Sequence, residues 1–364
     1  MHASYTLLRL GTTILCAASI ANAGYIVEDT YDTTNFFSEF DFFADKDPTE
    51  GFVKYSSAAT ANISSLAGYA SNAVFLGVDH TTVNPPSGRH SVRVSSKKAY
   101  THGLIVADIA HMPDSTCGNW PAFWTVGADW PTNGEIDILE GVNDDATNHI
   151  TLHTSPGCKL NNTGSLPSST LSTSNCNAGN AGEGCSLTTT NKQNYGTGFN
   201  AVGGGIYAME WTSSAIKVFF FARNAIPDDI KSGNPDPTAW GAPVGSFSGT
   251  GCSIDSHFKD HKIVINNTFC GKWAGQVWNQ SSCSKLAPTC EAYVAANPKA
   301  FAQAYWLINS VKVYQPNMAA KKRGPSEGSA KDMRVDTLHT YMSLKNLDKG
   351  MKLAWSYGRE VVDV

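Results

Sequence analysis

The sequence is poor in charge and carries no excess of positive charge. Only 16% of its 364 residues are charged, and 27 basic against 31 acidic residues give a formal net charge of −4. Phosphate backbones are attracted by a basic surplus or by blocks of like charge, and neither is present. We therefore expect no nucleic-acid partner.

The chain also lacks an apolar run long enough to cross a bilayer, which takes roughly 18 to 20 residues. The longest run, from about residue 11 to residue 20, follows Arg9 and precedes the small residues 21–23. This is the pattern of a cleavable secretory signal over residues 1–23, with a buried core helix as the alternative. We predict an exported chain without a membrane span.

Helical periodicity is scarce between about residues 25 and 314. Short segments rich in Val, Ile, Phe, Tyr and Trp alternate there with Gly, Ser, Asn and Pro clusters, which is typical of an antiparallel β-sandwich. One helix is predicted in "CEAYVAANPKAFAQAYW". The clearest strand candidates read "HSVRVSSKKAY", "GLIVADIAHM", "GEIDILEG", "HITLHT", "GIYAMEWT", "AIKVFFFA", "HKIVIN" and "YWLINSVKVY".

Nine cysteines are present, and Cys16 would leave with the signal. The remaining even set favours disulfides in an exported chain, although spacing does not fix the pairing. Four glycosylation sequons agree with export, at Asn62, Asn161, Asn266 and Asn279. The eight cysteines are Cys117, Cys158, Cys176, Cys185, Cys252, Cys270, Cys283 and Cys290.

Two stretches fall outside the strand pattern. The segment from Ser155 to Asn200 is rich in Ser, Thr, Asn and Gly but contains three cysteines, so we predict a disulfide-pinned loop at the rim of a binding groove. Residues 24–315 form the predicted catalytic domain, and 316–364 a C-terminal extension. That extension could be a solvated tail, a short helix pair, or sequence read through from an incorrect gene model.

The segment "NGEIDILEGVN" places Glu135, Asp137 and Glu140 within six residues of an otherwise apolar strand. Side chains two apart share a face, so Glu135 and Asp137 point together. Strict alternation would bury Glu140 on the opposite face, where an unpaired carboxylate is very costly. We predict a β-bulge at Ile138 or Leu139 that returns Glu140 to the face of the other two acids.

With that bulge the two glutamates act as an i, i+4 pair, with Cα atoms about 13 Å apart. Leaning side chains could then hold the carboxyls about 5 to 5.5 Å apart, the separation of a retaining glycosidase. One glutamate would attack and the other protonate the leaving oxygen, while Asp137 tunes both, without metal or organic cofactor. The alternatives are a solvated acidic strand or a calcium site.

The same residues resemble glycoside hydrolase family 16, laminarinase-like, of the fungal endo-1,3(4)-β-glucanase type. "EIDILE" matches its E-x-D-x-x-E motif, and "CGNWPAFWTVGADWPTNGEIDILEGVN", "NHITLHT", "YGTGFNAVGGGIYAMEWT" and "FCGKWAGQVW" are similar in order over about residues 25–314. The resemblance implies an all-β jelly-roll sandwich with a concave substrate cleft. It implies Glu135 as nucleophile, Asp137 as helper and Glu140 as acid/base.

Further residues are candidates for substrate contact. His153 in "TLHT" faces the cleft by resemblance, with a structural histidine as the alternative, and Arg93 could reach a sugar hydroxyl or anchor a carboxylate. Flat indoles stack on sugar faces, which favours Trp124 and Trp130, with Trp273 a weaker candidate. Trp120 and Trp278 are equally compatible with the groove and the core, and Lys272 replaces the acid that relatives often have in "CGDWAG".

Taken together, these features predict a secreted, monomeric endo-β-glucanase. It would hydrolyse β-1,3 or β-1,4 linkages in laminarin-type or mixed-linkage β-glucans, with retention. The alternatives are a cell-wall glucan transglycosylase and a non-catalytic β-glucan-binding protein on the same fold. Transglycosylase relatives usually carry the unbulged E-x-D-x-E spacing, and a binding protein would tolerate loss of either glutamate.

Overall fold

A computed structural model describes residues 24–179 and 182–317 of the chain. The predicted signal over residues 1–23 lies outside the described residues, as does the predicted extension from residue 318 onward. Within the described part, no helix has both the length and the apolar character needed to cross a membrane.

Strands dominate the described residues, as the sequence predicts, and all eight strand candidates form strands. Their bounds are β1 Tyr25–Tyr31, β2 Phe40–Phe42, β3 Val53–Tyr55, β4 Ala67–Ala70, β5 Ala73–Leu76, β6 Arg89–Ser91, β7 Arg93–Tyr100, β8 Gly103–His111, β9 Asn119–Gly127, β10 Glu135–Glu140, β11 His149–His153, β12 Asn161–Asn162, β13 Ser169–Leu171, β14 Cys185–Thr189, β15 Gly205–Trp211, β16 Ala215–Ala222, β17 Gly245–Ser248, β18 His261–Phe269 and β19 Trp306–Pro316.

Helical segments are short. They are α1 Phe36–Glu39, α2 Ala58–Ile63, α3 Gly196–Ala201, α4 Asp228–Lys231, α5 Ile254–His257 and α6 Cys290–Ala296, with single 3-10 turns between strands and a π-helical turn at Gly271–Gly275. The predicted helix is α6, where the Thr289 side chain accepts a hydrogen bond from the Ala292 backbone N–H. Asn297 ends it before Pro298, which begins a 3-10 turn.

Two large antiparallel sheets hold most of the strands. The eight-stranded sheet has the order β13-β14-β11-β10-β9-β18-β7-β2, and we call it the acid sheet because β10 lies in it. The nine-stranded sheet runs β12-β17-β16-β15-β8-β19-β5-β4, with β1 also pairing to β19. The predicted antiparallel sandwich is confirmed, although β3 and β6 add a small parallel pair that the sequence pattern did not predict.

The apolar side of β10 packs into the core between the sheets. Ile136, Ile138 and Leu139 are fully buried in one cluster with residues such as Met209 of β15 and Val218 of β16. Two adjacent residues, Ile138 and Leu139, therefore both join the core, which regular alternation of side chains would not allow. Because two consecutive side chains enter the same core, the strand must be irregular at this point.

The irregularity is the predicted bulge. Against β9, Asp137 pairs with Trp124 while Leu139 pairs with the next residue, Phe123, so Ile138 is the extra residue. Against β11 the register also shifts between Asp137 and Glu140. The bulge is confirmed at Ile138, and it turns Glu140 away from the core side of the strand.

The stretch from Ser155 to Asn200 is more ordered than the predicted loop. It contributes β12 to the edge of the nine-stranded sheet and β13 and β14 to one side of the acid sheet, so the expectation of a loop without strands is wrong. Its Ser- and Thr-rich strands are short and lie at edges, which hides them from a search for apolar runs. Disulfides Cys158–Cys252 and Cys176–Cys185 hold it, as predicted.

The other four predicted cysteines are also paired. Cys117 bonds Cys283, and Cys270 bonds Cys290 at the start of α6. Both bonds belong to a second core cluster, which includes Val294 of α6 and Phe301.

Candidate active site

Three acids project from β10 on the side away from the core. In the register with β11, Glu135 lies opposite His153, Asp137 opposite Thr151, and Glu140 opposite His149. Directly opposed residues of antiparallel strands share a face, so both histidines join the acids. The bulge thus builds one polar cluster on a sheet whose other face is apolar.

Burial makes these carboxyls unusual. Asp137 is 1% exposed and Glu140 8% exposed, while Glu135 is partly exposed. Glu140 does not lie among aliphatic side chains without a partner: the Trp120 indole N–H donates to its Oε1 at 2.7 Å. The contact joins neighbouring strands β9 and β10 across the cluster.

His153 provides a positive charge within the cluster. Its Nε2 lies 3.1 Å from Asp137 Oδ2, and its Nδ1 donates to the Glu183 carbonyl at 3.0 Å. Burial alone would lower the pKa of His153, but the contact with Asp137 and the field of Glu135 outweigh burial and raise that pKa to about 10. The imidazole is therefore protonated at neutral pH.

The acids respond to burial and to one another. Burial raises the pKa of Glu135, while the His153 charge and a hydrogen bond from Trp130 oppose that rise. Burial and the neighbouring Glu135 raise the pKa of Asp137 to about 7, and burial and Asp137 raise that of Glu140 to about 8. Glu140 thus holds its proton more readily than Asp137 and stays protonated near neutral pH, as a general acid must.

A cation site is the competing use of these groups. Glu135, Asp137 and His153 present possible ligand atoms within 4.8 Å of one another. Calcium takes oxygen ligands, whereas one of the three groups here is an imidazole whose Nδ1 faces the Glu183 carbonyl. The set of groups therefore fits acid–base chemistry better than the calcium alternative.

Aromatic and cationic side chains continue the polar face beside the acids. Trp124 shares the face of Asp137 as its register partner on β9, and its N–H donates to Asn266 Oδ1 at 2.7 Å. The Arg93 guanidinium lies 4.9 Å from the Trp124 ring and 4.6 Å from the Phe43 ring. Its buried Nε has no hydrogen-bond partner among the described residues.

The remaining indoles separate into cleft and core. Trp130, in the turn before β10, is 47% exposed and hydrogen-bonds Glu135. Trp273 is partly exposed and contacts the Trp120 and His149 rings edge-on, at 5.7 and 5.3 Å between centroids. Trp278 is 2% exposed, and its N–H donates to the Ala287 carbonyl, so it belongs to the core.

The family described as "XgeA-like, catalytic GH16 domain" matches residues 40–314. That range covers most of the chain and contains every residue of the cluster. The chain belongs to glycoside hydrolase family 16. The resemblance identified from the sequence motifs is confirmed, and the domain is that of a glycoside hydrolase.

Curated relatives and solved structures agree with the family 16 assignment. The chain is 46% identical over 311 residues to an endo-1,3(4)-β-glucanase of Arthroderma benhamiae, covering 84% of this chain and 68% of that one. It is 40% identical to the endo-1,3(4)-β-glucanase xgeA of Emericella nidulans, covering 85% of this chain and 50% of that one. The chain thus spans between half and about two thirds of these relatives.

Among solved structures, laminarinase 16A of Phanerochaete chrysosporium has a TM-score of 0.75 at 44% identity, over 80% of this chain and 99% of that one. An elongating family 16 β-1,3-glucosyltransferase has a TM-score of 0.74 at 43% identity, over 80% of this chain and all of that one. These neighbours confirm the family 16 jelly-roll sandwich.

Several residues of this family 16 site were not predicted from the sequence. Asn148 hydrogen-bonds the bulge. The sequence is equally compatible with Trp120 in the groove or in the core, and the contact with Glu140 places it at the site. Asn266 begins a predicted sequon, but it is 6% exposed and holds Trp124, so its amide is not available for a glycan. Asn62, Asn161 and Asn279 are exposed.

Proposed function

We propose that this chain is a secreted endo-β-glucanase that hydrolyses β-1,3 or β-1,4 linkages in laminarin-type or mixed-linkage β-glucans with retention. One observation carries the proposal: the bulge at Ile138 places Glu135, Asp137 and Glu140 on one face of the acid sheet. Without it, the third carboxyl would lie in the core, and a two-carboxyl displacement could not operate.

Each group of the cluster has a role in that reaction. Glu135, whose carboxylate form the His153 charge favours, attacks the anomeric carbon as the glycosidic C–O bond breaks, and protonated Glu140 delivers its proton to the departing oxygen. Glu140 then takes a proton from water, whose oxygen attacks the anomeric carbon and releases Glu135. Asp137 is buried between the two glutamates and paired with His153, and its charge helps to raise the pKa of Glu140.

The polar face beside the acids suits a sugar chain. Trp124 and Trp130 offer partly exposed indoles, Trp273 lies beyond Trp120, and the Arg93 guanidinium lies against the Trp124 ring. Indole faces pack against sugar C–H groups while hydrogen bonds fix the orientation. The named relatives are β-glucanases, and laminarinase 16A has been solved with 6-O-glucosyl-laminaritriose in its donor and acceptor sites.

We also propose that the chain is exported and acts as a monomer on its polymer. Four disulfides among the described residues are stable in an oxidising compartment and rare in the cytosol. The apolar run within residues 1–23 supplies the expected signal, and polysaccharide is the partner that the cleft requires.

The direct test compares the natural chain with Glu135→Gln on laminarin, lichenan and cereal β-glucan. We expect internal cleavage by the natural chain, loss of turnover in the variant by at least about 10⁴-fold, and retained glucan binding, because the amide keeps the shape but not the nucleophile. NMR of the first product should show the β-anomer. First-formed α-product, or full activity in Glu135→Gln, would refute the retaining mechanism.

Transfer to a sugar acceptor is the second candidate, and one observation favours it: the 43% identical neighbour is an elongating β-1,3-glucosyltransferase. Such an enzyme shares the covalent intermediate but resolves it with a sugar hydroxyl. Products longer than the starting oligosaccharide, at low substrate concentration, would favour transfer over hydrolysis.

A further inference from the structure

The bulge leaves a problem that the strands themselves do not solve. An extra residue interrupts the ladder between β10 and β11, so backbone groups near Ile138 lose their regular partners. These groups are buried, and an unpaired buried N–H or C=O is expensive. Something other than a strand must satisfy them.

Asn148, the residue just before β11, supplies both missing partners. Its Oδ1 accepts from the Glu140 backbone N–H at 2.8 Å, and its Nδ2 donates to the Ile138 carbonyl at 2.8 Å. The amide orientation is unambiguous, since an N–H can only donate and a carbonyl can only accept. One side chain therefore clamps the two residues that flank Leu139.

Asn148 is itself held firmly. It is fully buried, and its own N–H donates to Asn194 Oδ1 at 3.1 Å. Asn194 donates in turn to Thr189 on β14 at 2.7 Å, and its carbonyl accepts from the Tyr207 hydroxyl of the opposite sheet. The clamp is thus anchored in both sheets, well below the face that carries the acids.

We propose that Asn148 is a positioning residue for the acid/base Glu140. It fixes the Glu140 backbone from below, while Trp120 fixes the carboxyl from the side. Asn148 cannot touch substrate, because it is buried beneath the strand. The inference rests on the proposed function for the role of Glu140, and on the hydrogen bonds alone for the clamp.

The test is Asn148→Ala, assayed on two substrates that differ in their need for an acid. Laminarin has a poor leaving group that must be protonated, whereas an aryl β-glucan oligosaccharide with a dinitrophenolate leaving group does not need a proton. General acid catalysis contributes about 10²- to 10⁴-fold. We expect kcat on laminarin to fall at least about 30-fold, with less than about threefold loss on bond cleavage of the aryl substrate.

A matched control is Asn200→Ala. Asn200 makes the same kind of clamp, accepting from the Met112 N–H and donating to the Met112 carbonyl, but at the end of β8 and away from the acids. Its loss should lower stability without separating the two substrates. Equal losses on both substrates in Asn148→Ala, or the same separation in Asn200→Ala, would overturn the proposal.

A second measurement does not depend on activity. NMR titration of the isotope-labelled Glu140 carboxyl in the natural chain, Asn148→Ala and Asn200→Ala should show a shifted midpoint only in Asn148→Ala. An unchanged midpoint there would also overturn the proposal. If the natural chain cleaves no β-glucan, the proposed function fails, whereas the titration still decides whether Asn148 controls Glu140.

Discussion

Among single residues, Trp120 is important because its hydrogen bond controls the protonation of the Glu140 carboxyl. Trp120 has only a donor to offer, and it donates to Glu140 at 2.7 Å. A hydrogen bond to a carboxylate stabilises the ionised form, and this contact therefore lowers the Glu140 pKa against the burial that raises it. The residue sets how far above neutrality the acid stays protonated.

Trp120→Phe should therefore move the alkaline limb of the activity profile upward. Activity of the natural chain should fall as pH rises through about 8, where Glu140 loses its proton jointly with Asp137. Removing the indole N–H should raise that limb by about one pH unit, equivalent to about 1.4 kcal/mol. The measurement is kcat/KM against pH on laminarin.

The control for this shift is Trp278→Phe, which removes an indole N–H from a core contact with Ala287 instead. Its alkaline limb should stay where it is in the natural chain. A limb that moves downward in Trp120→Phe, or that moves equally in both variants, would contradict the role assigned to Trp120.

At the scale of elements, the stretch from Ser155 to Asn200 supports the acid sheet. Its strand β14 pairs with β11, which carries His153. The small loop closed by Cys176–Cys185 contains Glu183, whose carbonyl fixes the His153 ring. A segment at the edge of the sheet thus orients a charge at its centre.

Opening that loop with Cys176→Ser and Cys185→Ser should affect catalysis as well as stability. A loop of this size predicts a loss of about 2.7 kcal/mol from the free energy of unfolding. We also expect kcat to fall about tenfold, since the Glu183 carbonyl no longer holds His153 against Asp137. Urea unfolding and kcat on laminarin measure the two effects.

The matched control is Cys158→Ser with Cys252→Ser, because that bond pins the same stretch but closes a loop with a sequence separation of 94, far longer than the short loop that holds Glu183. It should cost stability and leave kcat within about twofold. If the two double variants lose kcat equally, the loop acts on stability alone.

At the scale of the whole molecule, the buried cluster links stability to pH. Asp137, Glu140 and His153 all have a folded pKa above the unfolded value, at about 7, about 8 and about 10. The folded state therefore binds more protons than the unfolded state, and stability falls as pH rises through each interval. A second set of histidines, of which His261 is fully buried and the others partly, has a lowered pKa and acts oppositely below pH 6.5, namely His90, His111 and His261.

Above pH 6.5 these histidines are neutral in both states and no longer oppose the cluster. The free energy of unfolding should then fall on the order of 5 kcal/mol between pH 6.5 and pH 9. Urea midpoints at pH 6.5 and pH 9 measure the slope. In Glu140→Gln the free energy of unfolding should fall less steeply with pH, because the amide does not titrate. If the free energy of unfolding of the natural chain rises between pH 6.5 and pH 9, the cluster does not control stability.

Much of this architecture could be read from the sequence. Alternation of apolar residues predicted the central strands, and the parity of Glu135, Asp137 and Glu140 predicted the bulge, because a buried unpaired carboxylate is too costly to accept. The family followed from several motifs in order. These are local signals, repeated within a few residues of chain.

Only the tertiary structure decided which distant residues complete the site. The pairing of eight cysteines, the burial of the Asn266 sequon and the clamp from Asn148 depend on strands brought together from far along the chain. Spacing along a sequence does not encode such contacts. The strands between Ser155 and Asn200 were missed for the same reason, since short segments with few apolar residues become strands only by pairing with β11 and β17.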